Sequence, residues 1–109
     1  MHELAIADGI VSTISERLPG KSITSVQVEI GALSGVVADS LLFCFDLATE
    51  GTELAGAKLE ITECPGRCAC QACGREFSPD GPILLCECGS ASVTVLSGQE
   101  LKIASVRVA

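Results

Sequence analysis

The chain reads as an α+β fold, a three-stranded mixed sheet with two helices on one face, plus an inserted zinc-ribbon-like domain built on four cysteines. Three observations predict it. Helical and alternating periodicities follow one another in the order helix, strand, helix, strand, strand. Six of the seven cysteines fall between Cys64 and Cys88, ahead of the last strand. A length of 109 residues is one domain's worth, so the cysteine stretch reads as an insert rather than a second independent unit.

In order, Leu4, Ala7, Val11, Ile14 and Leu18 recur at spacings of three and four and define one face of a helix that Pro19-Gly20 ends. From Ile23 to Ile30 the period changes to two, with Val26, Val28 and Ile30 on one side and Ser25, Gln27 and Glu29 on the other. Gly31 and Ser34-Gly35 break that strand, and Asp39 is placed to cap a second helix. The run from Leu41 through Ala48 leaves this helix little polar surface, which predicts packing on two sides, and Gly51 follows it. Lys58 to Glu63 alternates again, with Leu59 and Ile61 inward. Beyond the cysteines, Ser92–Leu96 and Leu101–Val108 are strand-like around a Ser97-Gly98 turn. The apolar phase shifts from Leu101 and Ile103 to Val106 and Val108, which predicts a bulge near Ala104.

Composition narrows the function. Hydrophobic residues make up 48%, yet there are three Phe and no Trp or Tyr, so the core must be Val, Ile, Leu and Ala. A formal charge of -7, with no cluster of Lys and Arg, argues against a nucleic-acid partner. No apolar run approaches the roughly 20 residues that cross a bilayer, so no membrane role is expected. The start Met-His-Glu lacks a basic and apolar leader, which with an odd number of cysteines predicts a cytoplasmic protein without disulfides.

Cys70-Gln-Ala-Cys73-Gly74 and Cys86-Glu-Cys88-Gly89 each end in glycine, as a tight knuckle requires where amides curl around a thiolate. Four sulfurs across a short loop predict one tetrahedral Zn(II) held by Cys70, Cys73, Cys86 and Cys88. Four thiolates close the coordination sphere, so the site reads as structural: a short insert cannot bury enough apolar surface to fold alone, and zinc supplies the missing energy. The C-x-C spacing of Cys86 and Cys88 is shorter than the usual knuckle, and Cys68 or Cys64 is near enough in sequence to stand in for Cys86. A rubredoxin-like iron site for electron transfer is the competing reading, since sulfur ligands alone do not name the metal. Cys44, on an apolar helix face, reads as a small buried hydrophobe.

His2 is the one histidine in the chain. With methionine retained before a bulky second residue, the Met1 amine, the His2 amide and the His2 imidazole Nδ1 can chelate one ion through a five- and a six-membered ring. Three nitrogens in a plane suit Ni(II) or Cu(II), with Glu3 offering its amide or carboxylate as a fourth ligand. On spacing alone, a histidine after the initiator methionine is more often a residue of a frayed end. No nucleophile and base can be assembled around one terminal histidine, and no phosphate-binding or dinucleotide fingerprint is present, so no enzyme is expected.

Met1-His2-Glu3-Leu4, Ile30-Gly31 followed by Ser40-Leu41-Leu42-Phe43 and Phe45, the two cysteine groups, and Ser97-Gly98-Gln99-Glu100-Leu101 together resemble the HypA/HybF nickel-insertion family. The resemblance spans essentially the whole chain. It implies a nickel metallochaperone that delivers Ni(II) to the hydrogenase large-subunit precursor during maturation, in some organisms serves urease, and works with a nickel-maturation GTPase. It carries transient nickel cargo onto Met1, His2 and Glu3, and structural zinc onto Cys70, Cys73, Cys86 and Cys88. Its fold implies a nickel-binding α/β domain over residues 1–63, completed by 97–109, and a zinc-binding insert over 64–96. The alternative is a zinc-ribbon protein-interaction module with no nickel role, its acidic surface docking a basic partner.

Overall fold

The computed structural model describes residues 3–81 and 83–109. The elements are α1 (Glu3–Arg17), β1 (Ile23–Gly31), α2 (Ala38–Ala48), β2 (Lys58–Cys64), β3 (Arg67–Cys70), β4 (Glu76–Phe77), β5 (Val93–Ser97) and β6 (Leu101–Val108). β1 is central in a mixed sheet ordered β2-β1-β6, parallel to β2 and antiparallel to β6. A second sheet, ordered β4-β3-β5 and wholly antiparallel, forms from the cysteine stretch. The fold class is the expected one: α+β, two helices on one face of a three-stranded sheet, and the four-cysteine unit inserted before the last strand.

Parallel pairing of β1 and β2 needs a crossover, and α2 provides it. Val26, Val28 and Ile30 of β1 are buried beneath Ala7, Ile10, Val11 and Ile14 of α1 and Leu41 and Phe45 of α2, in one cluster that also takes in Leu54 and Leu59. The polar face of β1 is held across all three strands by one side chain. Gln27 Nε2 donates to Glu60 Oε1 of β2 at 2.6 Å and to Ser25 Oγ at 3.1 Å, while Ser105 Oγ of β6 donates to Gln27 Oε1 at 2.6 Å.

The bulge lies at Ala104: Gln27 pairs with Ser105 and Val28 with Ile103, so Ala104 has no opposite residue. The slip turns both Ile103 and Val106 onto the core. Leu101 and Val108, at the ends of the strand, are exposed.

Three expectations are corrected. Leu4 is exposed, because the apolar face of α1 is centred on Ala7, Ile10, Val11 and Ile14 instead. Asp39 is not the cap of α2; Val37 occupies that position without a side-chain bond, and Asp39 lies in the first turn, where its charge still suits the helix dipole. α1 supplies a different contact: the Val37 amide donates to Glu3 Oε2 at 3.1 Å, so Glu3 serves α2 as a capping-box glutamate would serve its own helix. Finally, α2 packs on one side only, burying Leu41 and Phe45 while Leu42, Phe43 and Leu47 face solvent.

The two sheets are joined by two linkers, Pro65-Gly66 and Gly98-Gln99-Glu100, which pass each other beside Gly31 and Leu33. The amides of Gly31 and Leu33 donate to the carbonyls of Glu100 and Gly98 at 2.7 and 2.6 Å, and that of Ala32 to Cys64 at 2.8 Å. A Cβ on Gly31 would overlap the Gly98 carbonyl, and one on Gly98, whose φ is 107°, would sit 2.6 Å from the Gly66 Cα. Only glycine fits a backbone crossing this close.

Candidate metal centre

β3 runs into the first knuckle. The Cys70 amide donates to the Arg75 carbonyl at 2.8 Å, the Gly74 amide returns to the Cys70 carbonyl at 3.0 Å, and the Cys73 amide points at Cys70 Sγ from 3.5 Å. Gly74 takes a φ of 78°, as the turn demands. The second knuckle closes in the same way: the Gly89 amide donates to the Cys86 carbonyl at 2.9 Å, the Cys86 amide to the Ser90 carbonyl at 3.0 Å, and Gly89 has a φ of 93°. The glycine after each pair therefore has the role read from the sequence.

The knuckles bring four sulfurs together. Cys70 and Cys88 Sγ are 3.6 Å apart, as are Cys73 and Cys86, and all four lie within 4.8 Å of one another. Tetrahedral Zn(II) with Zn–S of about 2.3 Å requires S–S separations of about 3.8 Å, so the cluster fits a structural zinc site. The C-x-C pair reaches as well as the C-x-x-C pair does, with Cys70 and Cys86 buried and Cys73 and Cys88 exposed.

Cys68 is fully buried but belongs to no such cluster. It points to the same side of β3 as Cys70, and two residues of strand put it about 6.6 Å along, beyond the spacing of one tetrahedral ion. Cys64 ends β2 at the junction of the sheets, where burial raises its thiol pKa above 9.0, reinforced by Glu100 and Glu29 against the opposing pull of Lys102. Its sulfur lies outside the four-cysteine cluster, and a thiol that keeps its proton is a poor nucleophile at neutral pH. Cys44 is half-buried against the main core.

Within the cluster the thiols are unequal. The Cys73 amide, helped by that of Ala72 and by the thiols of Cys88 and Cys73, lowers Cys70 to about 6 against the cost of burial. At Cys86 the Cys88 amide favours the thiolate, but burial together with the thiols of Cys73, Cys88 and Cys70 pushes it up to about 11. One sulfur thus holds charge readily while a neighbour keeps its proton, the behaviour of anionic groups crowded without a counter-charge. A divalent cation supplies that counter-charge. Arg75 and Glu87, one from each knuckle, form an exposed ion pair at 2.7 Å that adds little energy but ties the two loops.

Among the described residues between 64 and 97, the buried hydrophobic side chains are Cys68, Cys70 and Cys86 alone. The unit has almost no apolar core, as expected of a fold that depends on metal.

Of the residues expected to hold nickel, Met1 and His2 lie outside the described residues, and Glu3 opens α1. Sequence reading assigned Glu3 a possible ligand role but missed its bond to α2, since no local pattern relates residues 34 positions apart.

A family model described as hydrogenase/urease nickel incorporation, metallochaperone, hypA, matches residues 1–108. The chain belongs to the HypA family. Hydrogenase maturation factor HypA of a Nostoc species is 44% identical over 108 residues, covering 99% of this chain and 96% of the relative. The HypA factor of Geobacter metallireducens is 40% identical over 109 residues, with 99% of each chain covered. The solution structure of the Ni metallochaperone HypA from Helicobacter pylori matches with a TM-score of 0.67 over 99% of this chain and 97% of that one. Its sequence identity is 22%, so that likeness speaks for the fold. No helix is long and apolar enough to cross a membrane among the described residues.

Proposed function

We propose that this HypA-family chain carries Ni(II) at its amino terminus, through the Met1 amine, the His2 amide and imidazole, and Glu3. It delivers the ion to the hydrogenase large-subunit precursor, together with a nickel-maturation GTPase, in the cytoplasm and without itself catalysing a reaction. The observation that carries this reading is the family match, which begins at residue 1 and so includes the Met-His-Glu terminus. Glu3 supports it: its carboxylate anchors the first turn of α1 to the start of α2, giving the ligands a fixed base. With Oε2 so engaged, the Glu3 backbone amide is the better nickel ligand, next in line after the amine and amide of residues 1 and 2.

Zn(II) is held by Cys70, Cys73, Cys86 and Cys88 as a structural ion. Residues 1–63 with 97–109 act as the nickel-binding domain, and 64–96 as the zinc-dependent insert. Zinc and nickel then occupy separate sites of different chemistry, thiolate against nitrogen. Nickel binding requires the imidazole and amides to be deprotonated, so nickel leaves first on acidification.

The test uses protein purified without an amino-terminal tag and counts both metals at neutral pH. His2→Ala, or a Gly-Ser extension ahead of Met1, is expected to abolish nickel binding and leave one zinc per chain. Nickel retained in both variants would overturn the assignment and favour a zinc-ribbon interaction module; iron in place of zinc would favour electron transfer.

A further inference from the structure

The solvent side of α2 carries large apolar side chains. Phe43 is 66% exposed and Leu47, one turn on, 47% exposed. At 100° per residue Asp39 and Asp46 lie along one edge of this pair, Glu50 follows just past the end of the helix, and all three are exposed. At the helix start the Glu3–Val37 hydrogen bond brings in the first turn of α1, where Leu4 and Val37 are also exposed. The chain has three aromatic residues: Phe45 is fully buried, Phe77 half-buried, and the third is spent on open surface.

The charges here are of one sign. No Lys, Arg or His occurs from Ser22 to Ala57, whereas Glu29, Asp39, Asp46, Glu50 and Glu53 do. The ion pairs found among the described residues, Arg67–Glu76, Arg75–Glu87 and Lys102–Glu29, involve no acid of α2. The face is therefore an apolar ridge bordered by carboxylates that no cation of the described chain balances.

We propose that this face docks a basic amphipathic helix of another protein, whose apolar side covers Phe43 and Leu47 and whose Lys and Arg meet Asp39, Asp46 and Glu50. Complementarity of charge selects the occupant. A second copy docked face to face would set carboxylate against carboxylate, and nucleic acid or an anionic membrane would be repelled in the same way. The i, i+4 spacing of Phe43 and Leu47 makes a ridge that fits the groove of a partner helix. The inference stands on α2 alone and does not depend on what the amino terminus binds.

The experiment titrates full-length, zinc-loaded protein with three fluorescent helical peptides of equal length. One has a leucine face flanked by Lys, one the same face flanked by Glu, and one the Lys flanks with the leucines replaced by serine. The first is expected to bind, to shift amide resonances of α2 and the start of α1, and to weaken with salt; the other two are not. Phe43→Ser with Leu47→Ser should weaken the first peptide by at least about tenfold, as loss of a central aromatic anchor does. Asp39→Asn with Asp46→Asn should weaken it at low salt but little at high salt. All these side chains are exposed, and zinc content with unchanged circular dichroism checks that the variants fold. Equal binding of the Lys- and Glu-flanked peptides, undiminished binding of the serine peptide, resonance shifts centred away from α2, or self-association abolished by Phe43→Ser would each overturn the proposal.

Discussion

Replacing single cysteines separates ligands from bystanders, and the structure gives the scale. Apparent binding energies of structural zinc at neutral pH are about 10–16 kcal/mol, or about 2.5–4 kcal/mol for each of four thiolates. At 1.4 kcal/mol per factor of ten, losing one sulfur weakens zinc by roughly two to three orders of magnitude. Burial orders the variants. Cys88 is exposed, so in Cys88→Ser water reaches the vacated position and the loss falls at the lower end. Cys70 and Cys86 are buried, 3% and 2% exposed, so Cys70→Ser and Cys86→Ser leave a hydroxyl in a site closed to water and fall at the upper end. Cys68 is also buried, yet Cys68→Ala is expected to cost about 1 kcal/mol of stability and leave zinc affinity unchanged.

The assay is competition for zinc against a chromophoric chelator at fixed neutral pH, with zinc content by elemental analysis. Wild-type affinity in Cys86→Ser together with weakened affinity in Cys68→Ala would refute the ligand set, for it would mean that Cys68 and not Cys86 completes the sphere. Equal losses in all four ligand variants would refute only the ordering by burial.

Gln27→Ala removes hydrogen bonds to Glu60, Ser25 and Ser105 and is expected to cost about 1–2 kcal/mol in urea unfolding with zinc content unchanged, since these bonds are exposed or half-buried. Removing zinc with a strong chelator is expected to abolish amide protection from Arg67 to Ser97 while β1 stays protected, because the buried residues of the former are cysteines and those of the latter belong to the aliphatic cluster; uniform loss by hydrogen exchange would contradict a metal-dependent insert. Cys64 holds its proton more tightly in the folded chain, so its stabilising contribution is complete below the pKa of the unfolded thiol and is lost as pH rises through the higher folded value. Iodoacetamide labelling of Cys64 at mildly alkaline pH, followed by peptide mass mapping, should therefore be slower in the folded protein than in urea.

Legibility in the sequence followed the range of the interactions. Where one residue's neighbours decide its place, the reading was sound: the alternation of Val26, Val28 and Ile30, the Pro19-Gly20 stop, the knuckle glycines, and even the bulge at Ala104, since a slip of one residue moves every later side chain to the other face. β3 and β4 were not legible. Arg67-Cys-Ala-Cys70 has no apolar alternation of its own, because its buried side chains are cysteines, which read as ligands. β5 was read as a strand, but not as the partner of β3, because pairing across a metal-bound loop leaves no local trace. The one-sided packing of α2 was missed for a different reason. Leu42, Phe43 and Leu47 look like core in a sequence, and a third layer to cover them is absent from the described chain. An apolar stripe wider than the fold needs is where sequence reading overpredicts burial and where a partner becomes an economical explanation.

Glu3 ties the first turn of α1 to the start of α2, and two substitutions separate its carboxylate from its backbone. Its carboxylate accepts the Val37 amide at 3.1 Å, closing a helix that has no side-chain cap of its own. Glu3→Gln keeps an oxygen acceptor of the same reach but loses the charge, whereas Glu3→Ala loses the acceptor altogether. Losing this bond is expected to cost about 1 kcal/mol, the usual value for a helix cap, and to speed amide exchange in the first turn of α2. If nickel takes the Glu3 backbone amide and not its side chain, Glu3→Gln retains nickel at neutral pH, and Glu3→Ala retains the stoichiometry but binds more weakly because the ligands rest on a loosened turn. If nickel takes the carboxylate, Glu3→Gln and Glu3→Ala lose affinity alike while only the second destabilises α2. Isothermal titration of both variants with Ni(II), beside their urea unfolding curves, distinguishes the two cases: matched nickel losses with unmatched stabilities would refute the backbone-amide assignment and put the carboxylate on nickel, whereas equal stability of both variants and the wild type would refute the anchoring role of this side chain.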